Sequence, residues 1–148
     1  MMETPMDRID KILNHDLFLY HLGRNNAAEA DRRFCRHSMV HFLDVARIGT
    51  IIALEEGLKI NREWIYAAAL LHDCGKHEQY ENGIPHEQAS ARIAPEILKA
   101  CGFNDEETGV IVTAISRHRD PEAAKEKNLN GILYRADKAS RACFACDA

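Results

Sequence analysis

Apolar residues recur three or four positions apart along most of the chain, which is the spacing of one face of an α-helix. A first segment with this pattern runs from about Asp7 to Gly23, and a second runs from about Ala27 to Glu56, where Gly57 supplies a C-terminal stop signal. No run of alternating β-branched residues interrupts the pattern. The pattern therefore predicts an all-α protein.

Further helices are predicted over residues 61–75, 86–100, 104–117 and 129–141. Asn61 and Asn104 are the expected N-caps of two of these helices, and Pro95 is expected to kink or restart a third. The expected architecture is a compact, single-domain bundle of about six helices. Within it, residues 1–25 form an N-terminal helix that packs on a core unit of residues 26–148.

Composition and charge narrow the function classes. The 148 residues are 46% hydrophobic and 28% charged, as in an ordinary globular protein. A net charge of −4 without a basic face argues against nucleic acid as a partner. No stretch approaches the roughly 20 uninterrupted apolar residues that a membrane span needs. The acidic, polar N-terminus has no signal-peptide core, so we expect a cytoplasmic protein with no membrane partner.

Eight histidines are many for this length, and five cysteines are an odd number that favours reduced thiols over a disulfide framework. Cys143 and Cys146 form a CxxC motif, which is half of a zinc site or a redox pair. Cys35 and His37 could complete such a site if the last helix packs on the second. Small buried residues on a terminal helix are the alternative interpretation of the motif.

The apolar run "IYAAALL" leads directly into His72 and Asp73. A buried carboxylate without a partner is costly, and a metal ion solves this by supplying positive charge while accepting the imidazole lone pair. For the pair by itself, a hydrogen-bonded histidine and an aspartate at a helix end are the favoured interpretation.

Other residues that can bind metal lie at or near core-facing positions of other predicted helices. They are His41, His86, His118 and Asp137. In helical bundles, metal sites form in the core from side chains that several helices contribute. The distribution therefore favours a metal site over an isolated pair.

These residues resemble the HD superfamily of metal-dependent phosphohydrolases, whose pattern is a histidine, an adjacent His-Asp pair and a distant aspartate. The pattern maps onto His41 in "HFLDVA", His72 and Asp73 in "LLHDCGK", and Asp137 in "YRADK". The resemblance extends over about residues 33–141. It implies an HD-domain-like helical fold and a metal-dependent hydrolase.

Some members of this superfamily, including cyclic-di-GMP phosphodiesterases and HD-type diadenosine tetraphosphate hydrolases, add two histidines and hold two metals. His86 and His118 stand in matching places, while the Gly-Tyr-Pro signature of the cyclic-di-GMP enzymes is missing. The resemblance implies one metal held by His41, His72, Asp73 and Asp137, and a second held by His86 and His118 with Asp73 bridging. The expected cofactors are one or two divalent transition metals, drawn from Fe, Mn, Zn, Ni or Co.

Several neighbouring charges are candidates for phosphate contact. Lys76 lies one turn past His72 and matches the lysine that follows the His-Asp pair in two-metal members, so it is expected to act with Asp73 in catalysis. Arg135 and Lys138 flank Asp137 and are either phosphate ligands or solvated surface charges. His37, four residues before His41, is either a residue that supports the ligands or a core residue.

The resemblance implies hydrolysis of a phosphate ester or anhydride in a small metabolite or nucleotide by a metal-bound hydroxide. Two alternatives stay open at this point. One is a di-iron oxygenase on the same scaffold, and the other is a non-catalytic module that binds metal or a nucleotide. Substrate identity and assembly into a homo-oligomer also stay open.

Overall fold

A computed structural model of the protein describes residues 6–29 and 39–140. This part of the chain forms eight α-helices and one 3₁₀ helix, and it contains no strand. The helices are α1 (Asp7–Leu13), α2 (Asp16–Ala28), α3 (Met39–Glu55), α4 (Arg62–Leu71), α5 (Lys76–Asn82), α6 (His86–Ala100), α7 (Asp105–Ser116) and α8 (Leu129–Ser140), with the 3₁₀ helix at Pro121–Lys125. The all-α prediction is confirmed. Among the described helices, none has the length and apolar character to cross a membrane.

The predicted N-caps Asn61 and Asn104 and the stop signal at Gly57 are confirmed. The Asn61 side chain accepts a hydrogen bond from the backbone N–H of Glu63 at 2.8 Å and so starts α4. Asn104 and Glu107 form a reciprocal capping box at the start of α7. Gly57 follows α3 with a φ of 68°, a backbone conformation that other residues rarely adopt.

Two predicted boundaries are wrong, and a restart at Pro95 does not occur. The first helix is divided at His15, whose backbone is extended and whose Nδ1 accepts from the N–H of Leu17 to cap α2. The helix predicted over residues 61–75 ends at Leu71, and a turn of four residues separates α4 from α5. Helix α6 continues through Pro95 without restarting. The described chain thus has eight α-helices instead of about six.

Helix α4 lies at the centre of the bundle and is buried along most of its length. Helices α3, α7 and α8 pack around it, and α3 approaches closely because Gly49 has no side chain. A Cβ at Gly49 would lie 3.0 Å from Ile65 Cγ2 and 3.2 Å from Ile132 Cγ2. The core also contains Phe42, Val45, Leu70, Ile97 and Ile111. Because α4 is central, the residues at its C-terminal end lie deep inside the molecule.

Arg8 anchors α1 to the bundle. Its Nε donates to Glu63 at 2.8 Å, and its Nη1 donates to both carboxylate oxygens of Glu107 at 2.9 Å. Trp64 Nε1 donates to the same Glu107 carboxylate at 2.7 Å, and the Arg8 guanidinium lies 4.1 Å from the ring centroid of Phe103. One arginine therefore ties α1 to α4 and α7.

We expect this network to give the fold an acid-sensitive component. The hydrogen bond from Arg8 outweighs the effect of burial and lowers the pKa of Glu107 to about 2. A lowered carboxyl pKa stabilises the fold above the unfolded pKa of about 4.5, and this stabilisation is lost as pH falls toward 2. Glu107→Gln should cost about 1–2 kcal/mol at pH 7, from weakened charge-assisted hydrogen bonds.

The measurement is urea unfolding of wild type and Glu107→Gln from pH 7 down to pH 2.5. The difference in unfolding free energy should shrink as pH falls below about 4.5. A difference that stays constant over this range would show that the Glu107 charge does not act as described.

Candidate metal centre

The turn between α4 and α5 carries the His-Asp pair into the core. His72 is fully buried at the end of α4, and the Asp73 side chain is 2% exposed. The Nε2 atom of His72 lies 3.2 Å from Asp73 Oδ2. The two consecutive side chains therefore converge, as the sequence predicts for a ligand pair.

A first group of side chains surrounds this pair. Asp137 of α8 places Oδ1 3.3 Å from His72 Nε2 and 3.2 Å from His41 Nε2. His41 Nε2 also lies 3.7 Å from Asp73 Oδ2. One atom from each of the four residues thus falls within 4.8 Å of the others, so the group could hold a metal ion.

Hydrogen bonds at the other ring nitrogens orient the two histidines. His72 Nδ1 lies 2.6 Å from the carbonyl oxygen of Ala69, which can only accept, so we infer that Nδ1 carries a proton. His41 Nδ1 lies 3.4 Å from Ser140 Oγ, and this hydroxyl donates to the carbonyl of Asp137 at 2.8 Å. Both Nε2 atoms are thereby turned toward the carboxylates, the orientation that metal-binding histidines adopt.

A second group shares Asp73 with the first. His86 Nε2 and His118 Nε2 lie 3.4 Å and 3.5 Å from Asp73 Oδ1, and 3.0 Å from each other. His118 Nδ1 lies 2.7 Å from the carbonyl oxygen of Ile115. His86 Nδ1 lies 2.8 Å from Gln79 Oε1, which also accepts from the backbone N–H of His86. The two Nε2 atoms again point inward, toward a common point beside Asp73.

Asp73 is the centre of the arrangement. Its Oδ2 faces His41 and His72, while its Oδ1 faces His86 and His118. A carboxylate with one oxygen toward each group has the geometry of a bridging ligand. The resemblance to two-metal proteins implies this bridging role for Asp73, and the role stays a prediction.

The donor set fits divalent transition metals. Neighbouring ligand atoms around an ion at about 2.1 Å are separated by roughly 3.0–3.4 Å, and most of the distances within the two groups lie between 3.0 and 3.5 Å. Imidazole nitrogens with carboxylate oxygens suit Mn, Fe, Co, Ni and Zn. Lone pairs of several imidazoles and carboxylates that face one another also need a cation between them, either a proton or a metal.

The electrostatics of the two groups differ. Burial alone would lower the pKa of His72, but the charge of Asp73 and hydrogen bonds with Asp137 outweigh it and raise this pKa to about 10. Despite burial, the charge of His72 and hydrogen bonds with the surrounding histidines hold the pKa of Asp73 well below its usual range. Hydrogen bonds with His41 and His72 likewise lower the pKa of Asp137, despite its burial and the nearby charge of Asp73. In the second group, burial and the charge of Lys76 outweigh Asp73 and lower the pKa of His86 to about 3. Without metal, the first group therefore holds a proton and His86 stays neutral.

Metal uptake should consequently release protons. Because the pKa of His72 is about 10, its Nε2 is protonated at neutral pH, and a metal must displace this proton. We expect at least one proton released per chain and an affinity that rises about tenfold per pH unit between about pH 6 and 9. Calorimetric titration of stripped protein with Mn²⁺ in buffers of different ionisation enthalpy measures the release. Heats that do not depend on the buffer would contradict it.

The other predicted residues take different positions. Lys76 is buried, with Nζ 3.3 Å from His86 Nδ1, so its charge lies beside the second group. Arg135 pairs with Glu56, and its Nε donates to the carbonyl of Gly131 at 3.2 Å. Lys138 is exposed, with Nζ 5.4 Å from the ring centroid of Tyr134. The phosphate role of Arg135 and Lys138 stays a prediction, and these contacts do not support it.

Some predictions concern residues beyond the described ranges. His37 and the proposed Cys35, Cys143 and Cys146 site are among these residues. In the part of the chain that the structure describes, Cys74 and Cys101 are buried free thiols.

Two residues that orient candidate ligands could not be identified from the sequence. Ser140 lies one helical turn after Asp137 and contacts His41, and Gln79 lies one turn after Lys76 and contacts His86. A polar residue one turn from a predicted site residue is the only sequence signal for either of them. Serine and glutamine are common on helix surfaces, so this signal by itself is weak.

A comparison with models of protein families assigns this chain to a family. The model of the HD domain matches residues 39–142. The chain belongs to the HD domain family. The match includes all six residues of the two groups, and HD domains bind divalent metals, so the His/Asp cluster of this HD domain could hold a metal.

Two relatives are similar to this chain over most of its length. An uncharacterized protein of Clostridium beijerinckii is 50% identical over 141 residues, which are 95% of this chain and 88% of that protein. The crystal structure of a predicted HD superfamily hydrolase from an uncultured Thermotogales bacterium has a TM-score of 0.63 and 27% identity. That match covers 81% of this chain and 66% of the other, so this chain spans just under two thirds of that protein.

Proposed function

We propose that this HD domain is a hydrolase that binds two divalent transition metals and cleaves a phosphate ester or anhydride in a small metabolite or nucleotide. The observation that carries the proposal is the position of Asp73, with one carboxylate oxygen toward each group of histidines. The name of the Thermotogales relative, an HD superfamily hydrolase, supports the same class of reaction.

In this proposal the six residues divide into two ligand sets. The first metal would be held by His41, His72, Asp73 Oδ2 and Asp137, and the second by Asp73 Oδ1, His86 and His118. Divalent metals bound there would supply Lewis-acid chemistry, because they lower the pKa of a coordinated water and neutralise charge on phosphoryl oxygens.

The residues of the chain would control access, charge and orientation. The side chain of His41 is 14% exposed, whereas those of the other five candidate ligands are at most 4% exposed, so solvent and substrate would reach the cluster from the His41 side. The ring centroid of buried Phe42 lies 5.8 Å from that of His72 in a T-shaped contact, so an apolar side chain packs against this candidate ligand. Burial and the charge of Lys76 would together keep His86 neutral, and Lys76 would add a fixed positive charge for an anionic substrate.

A substrate panel tests the proposal. Protein loaded with Mn²⁺, Fe²⁺, Co²⁺, Ni²⁺ or Zn²⁺ would be assayed for phosphate release from sugar phosphates, nucleotides and dinucleoside polyphosphates, with oxygen consumption followed in parallel. We expect hydrolysis of at least one class with at least one metal. Oxygen consumption without phosphate release would contradict the proposed reaction and favour an oxygenase.

A further inference from the structure

Asn25 of α2 hydrogen-bonds to the backbone at two places, one within the turn that carries Asp73 and one in α5, which follows the turn. The Asn25 side chain is fully buried. Its Nδ2 donates to the carbonyl oxygen of Asp73 at 2.9 Å, and its Oδ1 accepts from the backbone N–H of His77 at 2.9 Å. The two bonds fix the amide orientation, because a carbonyl can only accept and an N–H can only donate.

The turn is fixed from the opposite side as well. The backbone N–H of Gly75 donates to Ser90 Oγ of α6 at 2.9 Å, and a Cβ at Gly75 would lie 2.7 Å from Ala89 Cβ. The backbone of Asp73 is therefore held between α6 and Asn25. Helix α6 lies within the matched HD domain, whereas α2 lies before residue 39, where the match begins.

The position of this backbone matters because Asp73 must serve both ligand groups at once. The distances from its carboxylate oxygens to His72, His86 and His118 are 3.2, 3.4 and 3.5 Å. Ligand constellations need their atoms held within about 0.5 Å of the productive geometry. A shift of the turn would weaken contacts to one group or to both.

We infer that Asn25 is a positioning residue for the metal centre, and that α2 thereby completes a site whose ligands all lie in the HD domain. Asn25 acts on Asp73 through the backbone and touches none of the six candidate ligand side chains in its two hydrogen bonds. The inference rests on the proposed function only for metal binding by those six residues, and it is independent of the substrate.

The test is Mn²⁺ binding to stripped protein at pH 8, followed by the electron paramagnetic resonance signal of free and bound Mn²⁺. Asn25→Ala removes both hydrogen bonds. Asn25→Asp keeps the size and the acceptor for His77 but loses the donor to Asp73, and it serves as the second variant if Asn25→Ala does not fold. We expect the dissociation constant to rise about 10–100-fold in either variant, the range for residues that support metal ligands. The spectrum of an exchange-coupled Mn²⁺ pair should weaken in parallel.

His21→Ala is the matched control. His21 lies one turn before Asn25 on α2, and its Nδ1 lies 2.8 Å from His77 Nε2. Its loss therefore removes a hydrogen bond between the same two helices and leaves both hydrogen bonds of Asn25 in place. We expect the Mn²⁺ affinity of His21→Ala to stay within about threefold of wild type, even if its melting temperature falls. Losses of affinity of about 10–100-fold are typical only when the removed group supports a metal ligand.

The outcomes separate this inference from the proposed function. Asn25 variants that keep wild-type Mn²⁺ affinity would overturn the inference alone. Equal losses in the Asn25 variants and His21→Ala would also overturn it, because general packing of α2 on α5 would then explain the effect. A wild-type protein that binds no Mn²⁺, Fe²⁺, Co²⁺, Ni²⁺ or Zn²⁺ would overturn the proposed function and this inference together.

Discussion

Asp73→Asn should reduce hydrolysis by more than about 10³-fold, a larger effect than the loss of one transition-state hydrogen bond usually causes. The substitution preserves size, but it removes the negative charge that lies within 3.5 Å of His72, His86 and His118. An amide also offers only one oxygen, so it cannot bridge the two groups. We therefore expect metal content and phosphate release to fall together.

Asp44→Asn is the matched control for this prediction. It makes the same chemical change on α3, at a half-exposed carboxylate whose ion pair with Arg47 is 3.9 Å long. Exposed pairs of this kind contribute about 0–1 kcal/mol, so stability and activity should stay near wild type. An Asp73→Asn protein with wild-type metal content and activity would contradict the role of Asp73 as a bridging ligand.

Removing the metals should lower the melting temperature substantially. Ligands that bind only the folded state at 100 times their dissociation constant add about 2.7 kcal/mol per site, or about 5 kcal/mol for two sites. Each kcal/mol shifts the melting temperature of a domain of about 150 residues by roughly 2–4 °C. We expect loaded and stripped protein to differ by about 10 °C or more by calorimetry.

The stripped protein should nevertheless fold, because the proton on His72 partly neutralises Asp73 and Asp137 in the absence of metal. Adding Mn²⁺ to stripped wild type should restore the higher melting temperature, and adding it to Asp73→Asn should restore little of it. Equal melting temperatures for loaded and stripped wild type would mean that the cluster does not bind metal tightly in the folded state.

Much of the fold could be predicted from local signals. Asn61, Asn104 and Gly57 mark helix boundaries through caps and backbone preferences that depend on a few neighbouring residues. The break at His15 was missed because the apolar pattern continues across it, and that pattern does not reveal the hydrogen bond from Leu17 to the His15 side chain that starts α2. The separate helix α5 was missed because glycine commonly marks the end of a helix, whereas Gly75 lies at the start of α5.

The candidate ligands could be predicted because the pattern lies in short motifs whose order along the chain is visible in the sequence. The residues that support these ligands could not be predicted from the sequence. Asn25 meets Asp73 across 48 positions, and His41 meets Ser140 across 99 positions. Neither spacing follows from helical periodicity, since it depends on how the helices pack. The same limit applies to Arg135, which the sequence places beside Asp137 and the structure pairs with Glu56.

The most direct test of the central claim is the number of metals bound per chain. Protein purified without chelator would be equilibrated with Mn²⁺ or Fe²⁺, freed of excess metal and measured by elemental analysis beside Asp73→Asn and Asp44→Asn. The account predicts close to two metals per chain in wild type and Asp44→Asn, and fewer than one in Asp73→Asn. A single metal in wild type would contradict the second ligand group, and none would contradict the metal centre as a whole.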